Sequence, residues 1–138
     1  MTTQNVPEGP LFGLYLPQLR MDFSIIEERT LAAERAGFDS AWFMDHLSAP
    51  ARPDTDTLEG WTLAAAIAAR TSNIHLGHLV LCDAFRHPSL LAKMAATLDV
   101  ISGGRLELGL GWGSVEPELA SYGFGVARAP ERAARLTE

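Results

Sequence analysis

Asp45 and His46 stand side by side directly after an apolar run, Asp39 to Met44 (DSAWFM). An imidazole with an ordinary pKa of about 6.5 gives or takes a proton at working pH. His46 is therefore a candidate proton-transfer group, and Asp45 either its orienting partner or a cap for the loop. The plainer alternative is a loop histidine bonded to backbone. Cys82, Asp83, Arg86 and His87 gather behind a second apolar run, Ile74 to Leu81 (IHLGHLVL). Trp112, Ser114 and Glu116 follow a third, Leu106 to Leu110 (LELGL), and Gln18 follows the first of all, Leu11 to Leu16 (LFGLYL). Trp112 reads as a stacking group at a pocket mouth or as a cover for a sheet edge. Glu116 reads as a substrate contact or as a cap on the short helix at Pro117. His75 and His78 lie within one strand and on opposite faces. They lack the His-x-His or His-Glu-x-x-His spacing of metal ligands, so no metal site is expected. His78 points either towards a ligand or into a packed core.

These groups need elements to hold them. Leu11–Leu16, Asp39–Met44, Ile74–Leu81 and Leu106–Leu110 are short and apolar and read as four buried strands. Between the first two, Ser24 to Glu27 is a capping-box pattern that opens a helix, and Gly37 ends it. Asp56 and Glu59 start an alanine-rich helix that runs to about Arg70. Pro88 suits the first turn of a third helix, whose Leu91, Met94, Leu98 and Ile101 form one apolar stripe. Gly103-Gly104 closes it, and a last helix begins near Pro130. Residues 1–10 read as a loose lead-in. Strand, helix, strand recurs at roughly 30 residues, the period of βαβ units, which predicts a parallel sheet covered by helices.

Composition narrows the function. The 138 residues suit one domain. A net charge of −6 argues against nonspecific binding to nucleic acid or anionic membrane. A single cysteine, Cys82, forbids an internal disulfide. With no signal sequence visible and no apolar stretch long enough to span a bilayer, a cytoplasmic location is expected.

Either an open sheet or a barrel fits the periodicity. An open sheet would use Gly109, Gly111 and Gly113 as a phosphate loop, but the dinucleotide fingerprint is G-x-G-x-x-G after the first strand. These glycines read better as places where a strand end comes close to a ligand or turns sharply. In a barrel, ligand-facing residues lie where strands end, which is where the polar groups above collect.

Five segments carry a family resemblance: FGLYLPQ, AERAGFDSAWFMDHL, SNIHLGHLVL, FRHPSLLAKMAATLDVISGGRLELGLGWGS and EPELASYGF. The chain resembles the luciferase-like monooxygenase superfamily, and within it the deazaflavin-dependent oxidoreductases. The resemblance implies a (β/α)8 barrel of TIM type. It implies coenzyme F-420 or FMN, lying at the carboxyl ends of the strands, and hydride transfer or oxygen activation on a small organic substrate. It implies a bulge with a non-prolyl cis peptide at Leu79-Val80 that props the ring from behind, with His78, Cys82, Gly111 and Trp112 beside it. It also marks His46, with Asp45, as the proton-transfer position.

Barrels of this type need about 250 residues or more. A chain of 138 residues that stops in its fourth helix is therefore expected to hold about the first four βα units. The cofactor phosphate is usually held after strands 7 and 8, outside this sequence. The inward faces of the strands, with Leu14, Trp42 or Phe43, and Leu108 or Leu110, should then be uncovered. A homo-oligomer, or a partner supplying the rest of the barrel, is expected. Two rival functions are a non-catalytic half-barrel assembly protein and, weaker for want of ligand spacing, a metal-dependent hydrolase.

Overall fold

The computed structural model describes residues 9–137. Most of the expected lead-in, residues 1–8, lies outside the described residues. Four strand regions alternate with helices: β1 (Gly13–Tyr15), α1 (Phe23–Arg35), β2 (Ser40–Phe43), α2 (Gly60–Ala68), β3 (His75–His78), β4 (Leu81–Cys82), α3 (Pro88–Ser102), β5 (Leu106–Glu107), β6 (Leu110–Gly111), α4 (Glu116–Ser121) and α5 (Ala129–Arg135). The main sheet is parallel throughout, in the order β1-β2-β3-β5. The third and fourth expected strands are each broken in two. Their outer pieces pair separately, with Leu81 opposite Leu110 and Cys82 opposite Gly111.

Register decides which residues face the helices. Leu14, Ala41, Leu76 and Leu106 lie in one row, so they share a face. This is the dry face: Ala41, Phe43 and Leu76 are buried with Ile26, Leu63, Ile67, Leu91 and Leu98, and Leu14 and Leu106 pack against them. The opposite face carries Tyr15, Trp42, Gly77 and Glu107 in one row and Ser40 and His75 in another. Leu14 and Phe43, two of the three residues Leu14, Trp42 and Phe43 offered for the inward face, instead belong to the helix layer and not to the barrel lumen. Only Trp42 of that trio faces inward. Its indole lies across the backbones of Gly13 and Gly77, where an added Cβ would approach the ring within 2.7 Å, and its Nε1 donates to Ser40 Oγ at 2.8 Å. Beside it His75 Nδ1 meets Glu107 Oε1 at 2.9 Å.

The helices owe their placement to spacing. Ile26, Thr30 and Ala33 of α1 are buried at i, i+4, i+7. The first turn differs from expectation: Asp22 is the N-cap, Ser24 lies inside the helix, and Glu27 pairs with Arg70. In α2, Glu59 is the N-cap, and its carboxylate accepts from the Trp61 and Thr62 N–H groups at 3.0 and 2.7 Å. In α3, Leu91 and Leu98 are buried, while Ile101 is 54% exposed and falls outside the stripe. The buried phase there is Leu91, Ala95, Leu98 and Ser102. Gly37 and Gly103 take φ of 82° and 72° just past the ends of α1 and α3. Among the described residues, no helix is long and apolar enough to cross a membrane.

Candidate functional site

A cleft of about 350 Å³ opens at the carboxyl ends of β2, β4 and β6, roofed by α4. Its size lies within the range of small-molecule sites. Asp45, His46, Leu79, Val80, Cys82, Gly111 and Trp112 all line it. Seven of the eight residues expected at the site are therefore brought together.

The eighth, His78, is not among them. It shares the helix-facing side of the sheet, where its ring is fully buried and stacks on Trp61 with centroids 5.7 Å apart and planes 7° from parallel. Neither ring nitrogen has a hydrogen-bond partner among the described residues. Burial pushes its pKa below the ordinary value of 6.5. The reason for the misplacement is phase: β3 ends at His78, and the chain reverses its side-chain sense only after it.

Leu79 and Val80 follow directly. The peptide bond between them is cis. They interrupt the strand and stand 58% and 42% exposed, an apolar pair presented to the cleft. The glycines of the fourth strand make room for this bulge. A Cβ on Gly109 would come within 2.6 Å of the His78 carbonyl oxygen, and one on Gly111 would collide with Val80 Cγ2. The Gly-x-Gly run is a backbone-contact device.

Asp45 is almost fully buried, and both of its oxygens are engaged. Oδ2 accepts from the Cys82 N–H at 2.8 Å and from Arg86 Nη1 at 2.7 Å, while Oδ1 accepts from Arg86 Nη2 at 2.8 Å. Arg86 Nη2 also donates to Glu59 Oε1 at 2.7 Å, and its guanidinium lies 5.8 Å from the centre of the Trp61 ring. Burial pulls the Arg86 pKa down, but the adjacent Asp45 and Glu59 carboxylates outweigh it and the pKa rises. For Glu59, burial acts upward and is outweighed by the Thr62 and Trp61 hydrogen bonds and the Arg86 charge, so its pKa falls. Burial pushes the Cys82 thiol up. The bonds of Asp45 run to Cys82 at the end of β4 and to Arg86 beyond it, and not to His46 or to its own loop.

The carboxylate on His46 comes from elsewhere. His46 Nδ1 lies 2.8 Å from Glu118 Oε2 of α4. Glu118 Oε1 accepts from the Leu47 and Ser48 N–H groups at 2.6 and 3.0 Å. The sequence pattern points to Asp45 for this role and not to Glu118; Glu116, a candidate substrate contact or helix cap, pairs with Arg132 at 3.1 Å. Both glutamates stand in the first turn of the same short helix, and only the fold of α4 over the loop after β2 separates them. His87 lies outside the cleft and caps α3, its Nδ1 facing the Ser89 N–H at 3.3 Å. Gln18 is a buried brace, bonded to the Met44 and Leu58 carbonyls and the Met44 N–H.

The family profile of luciferase-like monooxygenases matches residues 7–138. The chain belongs to this family. An F420-dependent glucose-6-phosphate dehydrogenase of Amycolatopsis mediterranei is 38% identical over 114 residues, which are 80% of this chain and 34% of that one. The solved structure of an F420-dependent secondary alcohol dehydrogenase in complex with an F420-acetone adduct superposes with a TM-score of 0.80 at 23% identity, over 91% of this chain and 38% of that one. The oxygenating constituent of 3,6-diketocamphane monooxygenase of Pseudomonas putida, a type II Baeyer-Villiger monooxygenase in complex with FMN, superposes at 0.76 with 26% identity, over 92% and 36%. The four strand regions are thus part of a (β/α)8 barrel, and the chain spans about a third of the length of the relatives it matches.

Proposed function

We propose that these residues form the ring-binding wall and the proton-handling side of an oxidoreductase or monooxygenase site for coenzyme F-420 or FMN. The observation that carries this reading is the exposed apolar pair Leu79-Val80 in the same cleft as His46. A planar ring fits such a surface: apolar contact on one side, and a single titratable imidazole among the lining residues. When bound, a deazaflavin supplies hydride transfer and a reduced flavin supplies oxygen activation. The protein's part is orientation. Leu79 and Val80 support the ring, Gly111 keeps the strand beside them close, and Trp112 borders the cleft. His46 moves a proton to or from the substrate. Cys82 shapes the wall and lends its backbone N–H to Asp45, which anchors the floor through Arg86.

The phosphate of either cofactor is expected after strands 7 and 8, and the lumen face with Trp42, His75 and Glu107 awaits cover. A second copy or a partner chain that supplies these strands belongs to the same reading. The substrate is a small organic molecule.

Absorbance titration of the chain with coenzyme F-420 and with FMN is the test. One of the two should bind saturably, Val80→Asp should abolish binding, and His46→Ala should retain it. In a completed barrel His46→Ala should lower turnover about 10²–10⁴-fold. No saturable binding of either ring, or unchanged turnover in His46→Ala, would reject the reading.

A further inference from the structure

We infer that Glu118 is the positioning residue that fixes the tautomer of His46, leaving Nε2 as the nitrogen that exchanges protons. The inference rests on the proton-transfer reading of His46 and assigns that role to one atom. Glu118 is a rare side chain here: its carboxylate is 4% exposed yet has no cation beside it among the described residues. Its three partners, His46 Nδ1 and the N–H groups of Leu47 and Ser48, all belong to one loop. Two of the three are donors by covalent structure. An ionised carboxylate only accepts. The third contact is satisfied in the same sense, with the proton on Nδ1 donated to Oε2.

A neutral ring so held carries its lone pair on Nε2, which has no protein partner among the described residues. The other tautomer would set a bare Nδ1 against Oε2 at 2.8 Å, lone pair to lone pair, where almost no water can intervene. Asp45 cannot take this role, because Arg86 and the Cys82 N–H occupy its oxygens. A second tether comes from just past the same helix: Tyr122 Oη donates to the Leu47 carbonyl at 3.0 Å. The tether holds the loop without touching the imidazole, so the two functions separate by mutation.

The chain has four histidines, few enough for each ring to be followed by long-range proton–nitrogen correlation in histidine-labelled protein. The measurement is made without ligand, well above the ordinary titration range of histidine. In the parent chain His46 should show a protonated Nδ1 and a bare Nε2. Glu118→Gln should lose that signature, because the amide cannot accept from all three donors at once. Tyr122→Phe should retain it. A parent chain with Nε2 protonated, or with both tautomers equally populated, would overturn the assignment whatever the variants do. So would a folded Glu118→Gln chain in which only the Leu47 and Ser48 amides move while His46 keeps its proton on Nδ1. Because no cofactor is added, failure of the chain to bind a ring would reject the proposed function and leave this result standing.

Discussion

Arg105, at the amino end of β5, donates to the backbone carbonyls of Ala68, Thr71, Ile74 and Ser102 at 2.6–3.0 Å, and to Thr71 Oγ1. Arg86, beyond the carboxyl end of β4, donates instead to the carboxylates of Asp45 and Glu59. The two guanidiniums are similarly buried, and their pKa values move in opposite directions. Burial lowers that of Arg105, with only the charge of Glu34 opposing. That of Arg86 rises because its neighbours are anions. Carbonyl dipoles satisfy a fork of donors and leave the charge uncancelled, so Arg105 works by shape. Arg86 works by charge, and it does so where the cleft needs its floor held. One sheet is thus closed by geometry at the end away from the cleft and by electrostatics at the end beneath it.

The largest expected effect follows from removing the anion. Asp45→Ala leaves Arg86 with Glu59 alone and strands the Cys82 N–H, and should cost about 3–5 kcal/mol in urea unfolding. A loss below about 1 kcal/mol would show that Glu59 suffices and that the contrast is overdrawn. At the other end, Arg105→Lys keeps the charge and loses the fork. It should cost about 2 kcal/mol, through carbonyls left without donors. Unchanged stability would mean that charge, not shape, is what Arg105 supplies.

The smallest effect is in pH. His78 packs at the charged end, near Asp45, Arg86 and Glu59, and burial pushes its pKa below 6.5. The native state therefore favours the neutral ring, and the unfolded chain binds more protons below pH 6.5. Stability contributed by His78 is fully present above the unfolded value and is lost as pH falls from about 6.5 towards the depressed pKa. The slope is at most about 1.4 kcal/mol per pH unit. His78→Phe should flatten this part of the profile. A profile identical to that of the parent would assign the titration to another group.

The same contrast marks what the sequence discloses. Four apolar runs and three capped helices are local patterns, and they predict the βα order and the cleft end of the sheet correctly. The lumen and helix faces were not legible from strands so short and so uniformly apolar. Leu14 is expected inward and the register puts it outward, and of the pair Trp42 or Phe43 the register turns Trp42 inward and Phe43 outward. The break at Leu79-Val80 came from resemblance, since nothing in IHLGHLVL alone distinguishes a bulge from a strand. Glu118 lies 72 residues from His46, and its role depends on how α4 folds back, which periodicity does not encode. Ser24 to Glu27 shows the reverse error: a good local motif goes unused because the helix starts earlier, at Phe23 with Asp22 as N-cap, which puts Ser24 inside it.

Trp42 has an optical consequence. Its indole lies flat on the lumen side of the sheet, pinned over Gly13 and Gly77, while Trp61 is sealed in the helix layer and Trp112 borders the cleft. The molecule therefore carries three indole fluorophores in three separate compartments. The emission of Trp42 reads the polarity of whatever fills the lumen and that of Trp112 reads the cleft, with Trp61 as an internal reference for the fold.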